Sequence, residues 1–211
     1  MPAEKKNKKS IKEITKAILP VPFISQYSIG RDTDGRSRAC GAACVSMVLK
    51  YHNKGVDFLS LVKEGQTMKG AYISGIGWTH WGLAALLRNH NVGAYAEEFR
   101  SVLVDSKNQE FLPSPFEAEH MERGIQKIAG KILDWKQPII VSGAKNWREK
   151  DKWHLMIIVG VEAGSADLQG SRDIKGFYYH DPDDEEKDGA NRFVDKETFR
   201  TYWRKFAIFI D

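Results

Sequence analysis

The chain has 211 residues, 42% hydrophobic and 28% charged, which suits one folded core in a water-exposed globular protein. Its net charge of +4 lies wholly in residues 1–17, with six lysines against two glutamates; the other 26 basic and 26 acidic residues balance, which argues against a folded nucleic-acid-binding face. No apolar run reaches the roughly 18 residues that cross a bilayer, no secretory signal core follows the basic start, and two cysteines cannot make a disulfide framework. A cytoplasmic protein with free thiols and no membrane span is the expectation, with a mature secreted fragment as the other possibility.

In chain order, residues 1–17 read as a basic flexible arm and residues 18–211 as one domain. Ile18–Ile24 is expected to be extended, because Pro20 and Pro22 forbid an ordinary helix. A polar loop, Tyr27–Arg38, leads into the first secure helix, Cys40–His52. There Gly41, Ala42 and Ala43 are small, and Val45, Val48, Leu49 and His52 recur at helical spacing. Asp57 is expected to cap a short helix, Phe58–Lys63, and Gly65–Gly77 to be irregular. Thr79 caps Trp81–Asn89, where Trp81, Leu83, Ala84, Leu86 and Leu87 form an apolar stripe. Val92–Phe99 reads as a strand and Ser101–Pro115 as a polar surface connection. Phe116–Trp135 reads as a helix with Met121, Ile125, Ile128 and Ile132 inward.

From Pro138 the pattern turns to strands: Pro138–Ser142, the apolar run Trp153–Val161, and Gly176–His180, which Asp181-Pro182 ends. After an acidic loop, Asp183–Gly189, Asp195 caps a helix to Tyr202 and Lys205–Ile210 closes the chain as a strand. Helices first and strands second is the α+β pattern, a helical half packed on a mostly antiparallel sheet.

The chemistry centres on Cys40. At the first turn of a buried helix, unpaired N–H groups and the positive end of the dipole favour a thiolate, most effectively beside a histidine. His52 lies about 18 Å along the same helix and cannot reach. His80, His90 and His120 fall in helical surface patterns. His154 opens the most apolar strand and is placed to line a cleft. Asp181, ending the next strand with Pro182 stiffening the turn, is the best group to orient its ring. Gln26 can donate to an oxyanion alongside the Cys40 N–H. Cys44, one turn deeper, reads as packing. Trp78, Trp153 and Gly41 are the candidates for substrate contact.

No metal or cofactor is expected. Asp184, Glu186, Asp188, Gly189 and Asp195 half-match a calcium loop but depart from it at Glu186 and Asp195, and Cys40, Cys44 and His52 lack the geometry and the fourth ligand for zinc.

The pieces Val-Pro-Phe-Ile-Ser-Gln26, Ala-Cys40-Gly-Ala-Ala-Cys, the Gly77–Asn89 segment, Gln-Pro-Ile-Ile-Val before Trp-His154-Leu-Met-Ile-Ile-Val-Gly-Val, and Phe-Tyr-Tyr-His-Asp181-Pro occur in this order. Together they resemble the bacteriocin-processing-type (double-glycine) peptidases, a branch of the papain-like cysteine peptidases, as a single-domain member. The resemblance implies a papain-like fold, a Cys40 nucleophile, a His154 base, an Asp181 orienting group, a Gln26 oxyanion donor, and a peptide or protein substrate. The chain departs from it in having Ala39 where the family often has Asp, and in lacking membrane and ATPase domains. The rival readings are a catalytically silent peptide-binding module on the same fold, an amidase or acyltransferase using the same residues, and an adaptor acting through the basic arm. Oligomeric state is not legible.

Overall fold

The computed structural model describes residues 14–29, 39–104, 111–184 and 187–211. The elements run β1 (Ile14–Ile18), α1 (Cys40–Tyr51), α2 (Phe58–Thr67), β2 (Tyr72–Ile73), β3 (Gly77–Trp78), α3 (His80–Asn89), β4 (Ala94–Glu98), β5 (Val102–Val104), β6 (Phe111–Pro113), α4 (Glu117–Leu133), β7 (Ile139–Lys145), β8 (Glu149–Ala166), β9 (Arg172–His180), β10 (Arg192–Asp195), α5 (Lys196–Tyr202) and β11 (Trp203–Ile210). Short 3-10 turns stand at Gln26–Ile29 and Lys187–Gly189.

The main sheet has the order β10-β9-β8-β7-β11-β4, with β1 added beside β8, and all its ladders are antiparallel. Strand β8 is the spine. Every residue from His154 to Val161 is buried, as its unbroken apolar run requires of a strand with partners on both edges. Along its first half it pairs with β7, setting Gly143 opposite His154; further on it pairs with β9, setting His180 opposite Ile157.

Where β7 ends, β1 takes over the same role, with Ile18 opposite Gly160 and Ile14 opposite Gly164. Residues 14–17, read from sequence as the end of the arm, are thus strand. β-Branched Ile14, Thr15 and Ile18 suit that position, and the outer part of β8 would otherwise offer an open edge. Residues 1–13 and the loop at 30–38 lie outside the described residues.

Several boundaries differ from expectation. β8 starts at Glu149 rather than Trp153, so His154 lies within a strand and not at its mouth. The reason is the tight reversal after β7, where Asn146 and Trp147 both take left-handed φ, 55° and 53°, and bring the charged segment back into the sheet. α2 runs on to Thr67, and the glycine-rich stretch after it folds into the β2–β3 hairpin. Val102–Val104 and Phe111–Pro113 pair within the expected polar connection, whose residues 105–110 lie outside the described residues. Trp81 is exposed; α3 instead buries Gly82, Leu83, Ala84, Leu86 and Leu87.

Helices α1, α2 and α3 pack on one another, α1 against β8 and α3 against β4 and β11; α4 lies along β7, β8, β9 and β11. The α1 stretch Gly41–Leu49 is buried on all sides, which its run of small and apolar residues permits. No helix among the described residues is long and apolar enough to cross a membrane.

The segment from Gly70 to Thr79 is clamped on the start of α3. Thr79 Oγ1 accepts from the Gly82 N–H at 3.0 Å and donates to the Gly70 carbonyl at 2.7 Å. A Cβ on Gly82 would stand 2.2 Å from Ala71 Cα, backbone that cannot yield without moving the segment. Gly82→Ala is therefore expected to destabilise by about 1–3 kcal/mol. Gly130→Ala in α4 would meet nothing closer than 3.7 Å. It should stabilise by about 0.5–1 kcal/mol through helix propensity. Urea unfolding midpoints of the two variants check both signs.

Candidate active site

Cys40 is the first residue of α1, and the preceding Ala39 makes no side-chain cap, so the first N–H groups of the helix and its positive end are left facing the thiol. His154 comes from β8 and Asp181 follows directly on β9. The antiparallel register of the two strands sets them side by side, with His154 Nε2 2.7 Å from Asp181 Oδ1 and both side chains buried. With Nε2 committed to the carboxylate, Nδ1 is the ring nitrogen left for Cys40, to whose thiol His154 is hydrogen-bonded.

Asp181 is itself held. The Asp183 N–H donates to its Oδ1 at 3.0 Å, Arg192 Nη1 stands 3.8 Å from Oδ2, and its own N–H donates to the Gly189 carbonyl at 2.8 Å.

The charges follow from these contacts. Burial of Cys40 opposes a thiolate, but the His154 hydrogen bond and charge, together with the backbone N–H groups of Leu155 and Gly41, outweigh it and hold the thiol below its ordinary value. Burial of His154 opposes its proton, and the hydrogen bonds to Asp181 and Cys40 overcome that, pushing the imidazole up to about 10. Burial of Asp181 would raise its carboxyl, and the His154 hydrogen bond and charge keep it low instead. The arrangement favours a thiolate–imidazolium pair with a carboxylate behind it. Cys44 is fully buried; that burial, with the Cys40 and Asp181 charges nearby, lifts its thiol well above the ordinary range.

Cys40 and His154 line a cleft of about 500 Å³, and Trp78 and Trp153 form part of its walls. Gly41 is not on the cleft surface. Trp78 covers it so closely that a Cβ would fall 2.7 Å from Trp78 Cγ. Gln26 is buried in the 3-10 turn and is not among the cleft-lining residues. Its N–H donates to the Pro182 carbonyl at 2.8 Å and its Nε2 to Asp183 Oδ1 at 2.7 Å, leaving Oε1 buried without a hydrogen-bond partner. Asp183 also accepts from the Tyr27 hydroxyl at 2.6 Å and pairs with Lys145. In the acidic turn, Asp184 pairs with Arg192 and Asp195 caps α5; Glu186 lies outside the described residues.

Sequence reasoning missed Ser142, His80, Arg204 and Asp183. His80 lines the cleft, stacked on Phe206 with centroids 4.3 Å apart, and burial, with Arg204 and Arg100 nearby, pushes its imidazole down to about 4. A signal for it existed: positions 80, 83, 84 and 87 share one helix face, whereas Trp81 does not. Nothing in the sequence marks Ser142 or Arg204.

Residues 18–207 match the model of the Peptidase_C39 like family. Comparison with curated proteins gives no match. Among solved structures, a Bacillus anthracis protein described as a C39-like peptidase is 18% identical with a TM-score of 0.60, over 93% of this chain and 98% of that one. UfSP from C. elegans is 14% identical with a TM-score of 0.55, over 97% of this chain and 35% of that one. A double glycine motif protease from an AMS/PCAT transporter, solved with the leader peptide, is 16% identical with a TM-score of 0.46, over 92% of this chain and 94% of that one. At such identities the structural similarity is one of fold. The architecture is the α+β papain-like one, with its helical part packed on an antiparallel sheet.

Cys40 should be alkylated by iodoacetamide at pH 6, where an ordinary thiol is only about 0.3% ionised. The sign follows from the two shifts. The pair keeps its charges above the lowered Cys40 value and below the raised His154 value, so acid quenches the reaction and alkali removes the imidazolium proton near 10. Mass spectrometry across pH should find Cys40 labelled and Cys44 untouched. His154→Ala should move the Cys40 profile toward that of an ordinary thiol.

Proposed function

The chain belongs to the Peptidase_C39 like family, and on that premise we propose that it cleaves peptide or amide bonds of a peptide or protein substrate, with Cys40 as nucleophile, His154 as acid and base, and Asp181 as the group that orients the imidazole. The observation that carries this reading is a thiol at the uncapped start of α1 and an imidazole bonded at 2.7 Å to a buried carboxylate, with the thiol and imidazole opening on one cleft.

The chemistry balances on these groups. The Cys40 thiolate adds to the substrate carbonyl carbon, forming a C–S bond while the carbonyl π pair moves onto oxygen. The backbone N–H of Cys40 and an N–H of Gln26 Nε2 are assigned to that oxyanion. One N–H of the Gln26 amide is taken by Asp183 and the amide also bonds the Tyr27 side chain, so the assignment requires the amide to turn from Tyr27 toward the oxyanion when substrate binds. As the oxyanion collapses, the C–N bond breaks and the His154 imidazolium gives its proton to the departing amine. Water then attacks the thioester, its proton passes to His154, and the C–S bond breaks to restore the thiolate and imidazolium. Asp181 holds the ring so that Nδ1 serves the sulfur throughout. Retention of this complete set argues for turnover over silent peptide binding.

The test is cleavage of a diverse peptide mixture followed by mass spectrometry. Cys40→Ala should abolish product. His154→Ala should lower the rate by about 10³-fold or more and Asp181→Asn by about 10²–10⁴-fold. Cleavage that survives Cys40→Ala at the wild-type rate would overturn the reading.

A further inference from the structure

Beyond the thiol, the cleft carries a set of groups that the cleavage chemistry does not use. Ser142 on β7 is buried and its Oγ has no hydrogen-bond partner; His80 at the start of α3 has a buried Nε2 in the same state. Both line the cleft with Arg204 and Lys152. Unpaired buried polar groups are costly, and two of them on residues lining one cleft need an explanation.

Arg204 supplies a second, independent observation. It is delivered by a bulge in β11: Trp203 opposes Gly143 and Phe206 opposes Ser142, so Arg204 and Lys205 have no opposing residues on β7. Lys205 takes a left-handed φ of 63° to accommodate the extra length. A bulge of this kind re-aims a side chain next to a site. Here the half-buried Arg204 guanidinium lies over the Trp153 ring, 5.3 Å from its centroid. It makes no ion pair among the described residues, the Arg100 and Glu98 charges act on it in opposite senses, and no carboxylate among the described residues lines the cleft. Its charge, with that of Arg100, is felt by His80. A guanidinium fork, a hydroxyl and a ring nitrogen on residues that line one cleft match the chemistry of a carboxylate's oxygens.

We propose that this part of the cleft is a specificity subsite for a carboxylate of the substrate, with Arg204 supplying the charge and Ser142 and His80 the hydrogen bonds. The assignment rests on the peptidase reading above. It makes the preferred substrate a peptide with an acidic group at one fixed distance from the cleaved bond. That group is either an Asp or Glu side chain or a free chain-terminal carboxylate.

The full chain is incubated with an equimolar peptide library made twice, once with amidated and once with free C-termini, and the cleaved bonds are read by mass spectrometry. Asp and Glu should be enriched over Asn and Gln by about tenfold at a single position in both libraries if the side chain is the ligand. Preference confined to the free-acid library, with cleavage at a fixed distance from the end, supports the subsite with the terminal carboxylate as its ligand. Arg204→Gln should collapse the preference, Arg204→Lys should keep the charge but lose the fork and so retain only part of it, and Ser142→Ala should reduce it about threefold.

Wild-type cleavage with no acidic preference in either library, or a preference unchanged in Arg204→Gln, overturns the subsite while leaving the peptidase reading intact. No cleavage of any peptide, with Cys40 unreactive at pH 6, overturns both.

Discussion

Removing an imidazole and a carboxylate from water together costs the hydration of each, and such a pair persists only where its surroundings replace what was lost. Here the cost is offset from several sides. His154 and Asp181 bond each other, the Asp183 N–H caps the same carboxylate oxygen, Arg192 stands beside the other, and the thiol of Cys40 completes the ring. The three side chains come from α1, β8 and the end of β9, elements far apart in sequence. Their charges coexist only when the sheet register and the seat of α1 are both correct. The register is secured by the apolar burial of β8, whose side chains would change faces if the strand slipped by one residue.

The turn at 181–183 joins two parts of the site that look separate in the chain. Asp181 faces His154, while Asp183, two residues on, gathers Gln26, Tyr27 and Lys145. Pro182 between them accepts the Gln26 N–H. Asp181 lies on one short, stiff turn, and Gln26 is tied to that same turn by two hydrogen bonds.

Much of this is legible in the residues. Cys40, His154 and Asp181 can be found because each stands where a periodicity changes or a strand stops, and the apolar run from Trp153 identifies the central strand by itself. What escapes the sequence depends on tertiary pairing. β1 is strand only because β8 outruns β7. The hairpin that extends β8 back to Glu149 uses left-handed Asn146 and Trp147, and a tryptophan in that role carries no turn signature. Arg204 reaches the cleft through a bulge, which has no local pattern. His80 was within reach, since its face of α3 continues to Leu83, Ala84 and Leu87, and the bulk of Trp81 draws attention to the wrong face.

The state in which Cys40 is held has a consequence for its redox life. Cys40 is mostly buried but reaches the cleft, a thiolate there is the form that peroxides oxidise, and the first product, a sulfenic acid, is rescued most directly by a neighbouring thiol. The chain's other cysteine cannot serve. Cys44 is sealed within the core, its thiol is held protonated, and it lies one turn along the same helix. An oxidised Cys40 thus depends on an external thiol such as glutathione for its return, and without one a second equivalent of peroxide carries it to the irreversible sulfinic acid.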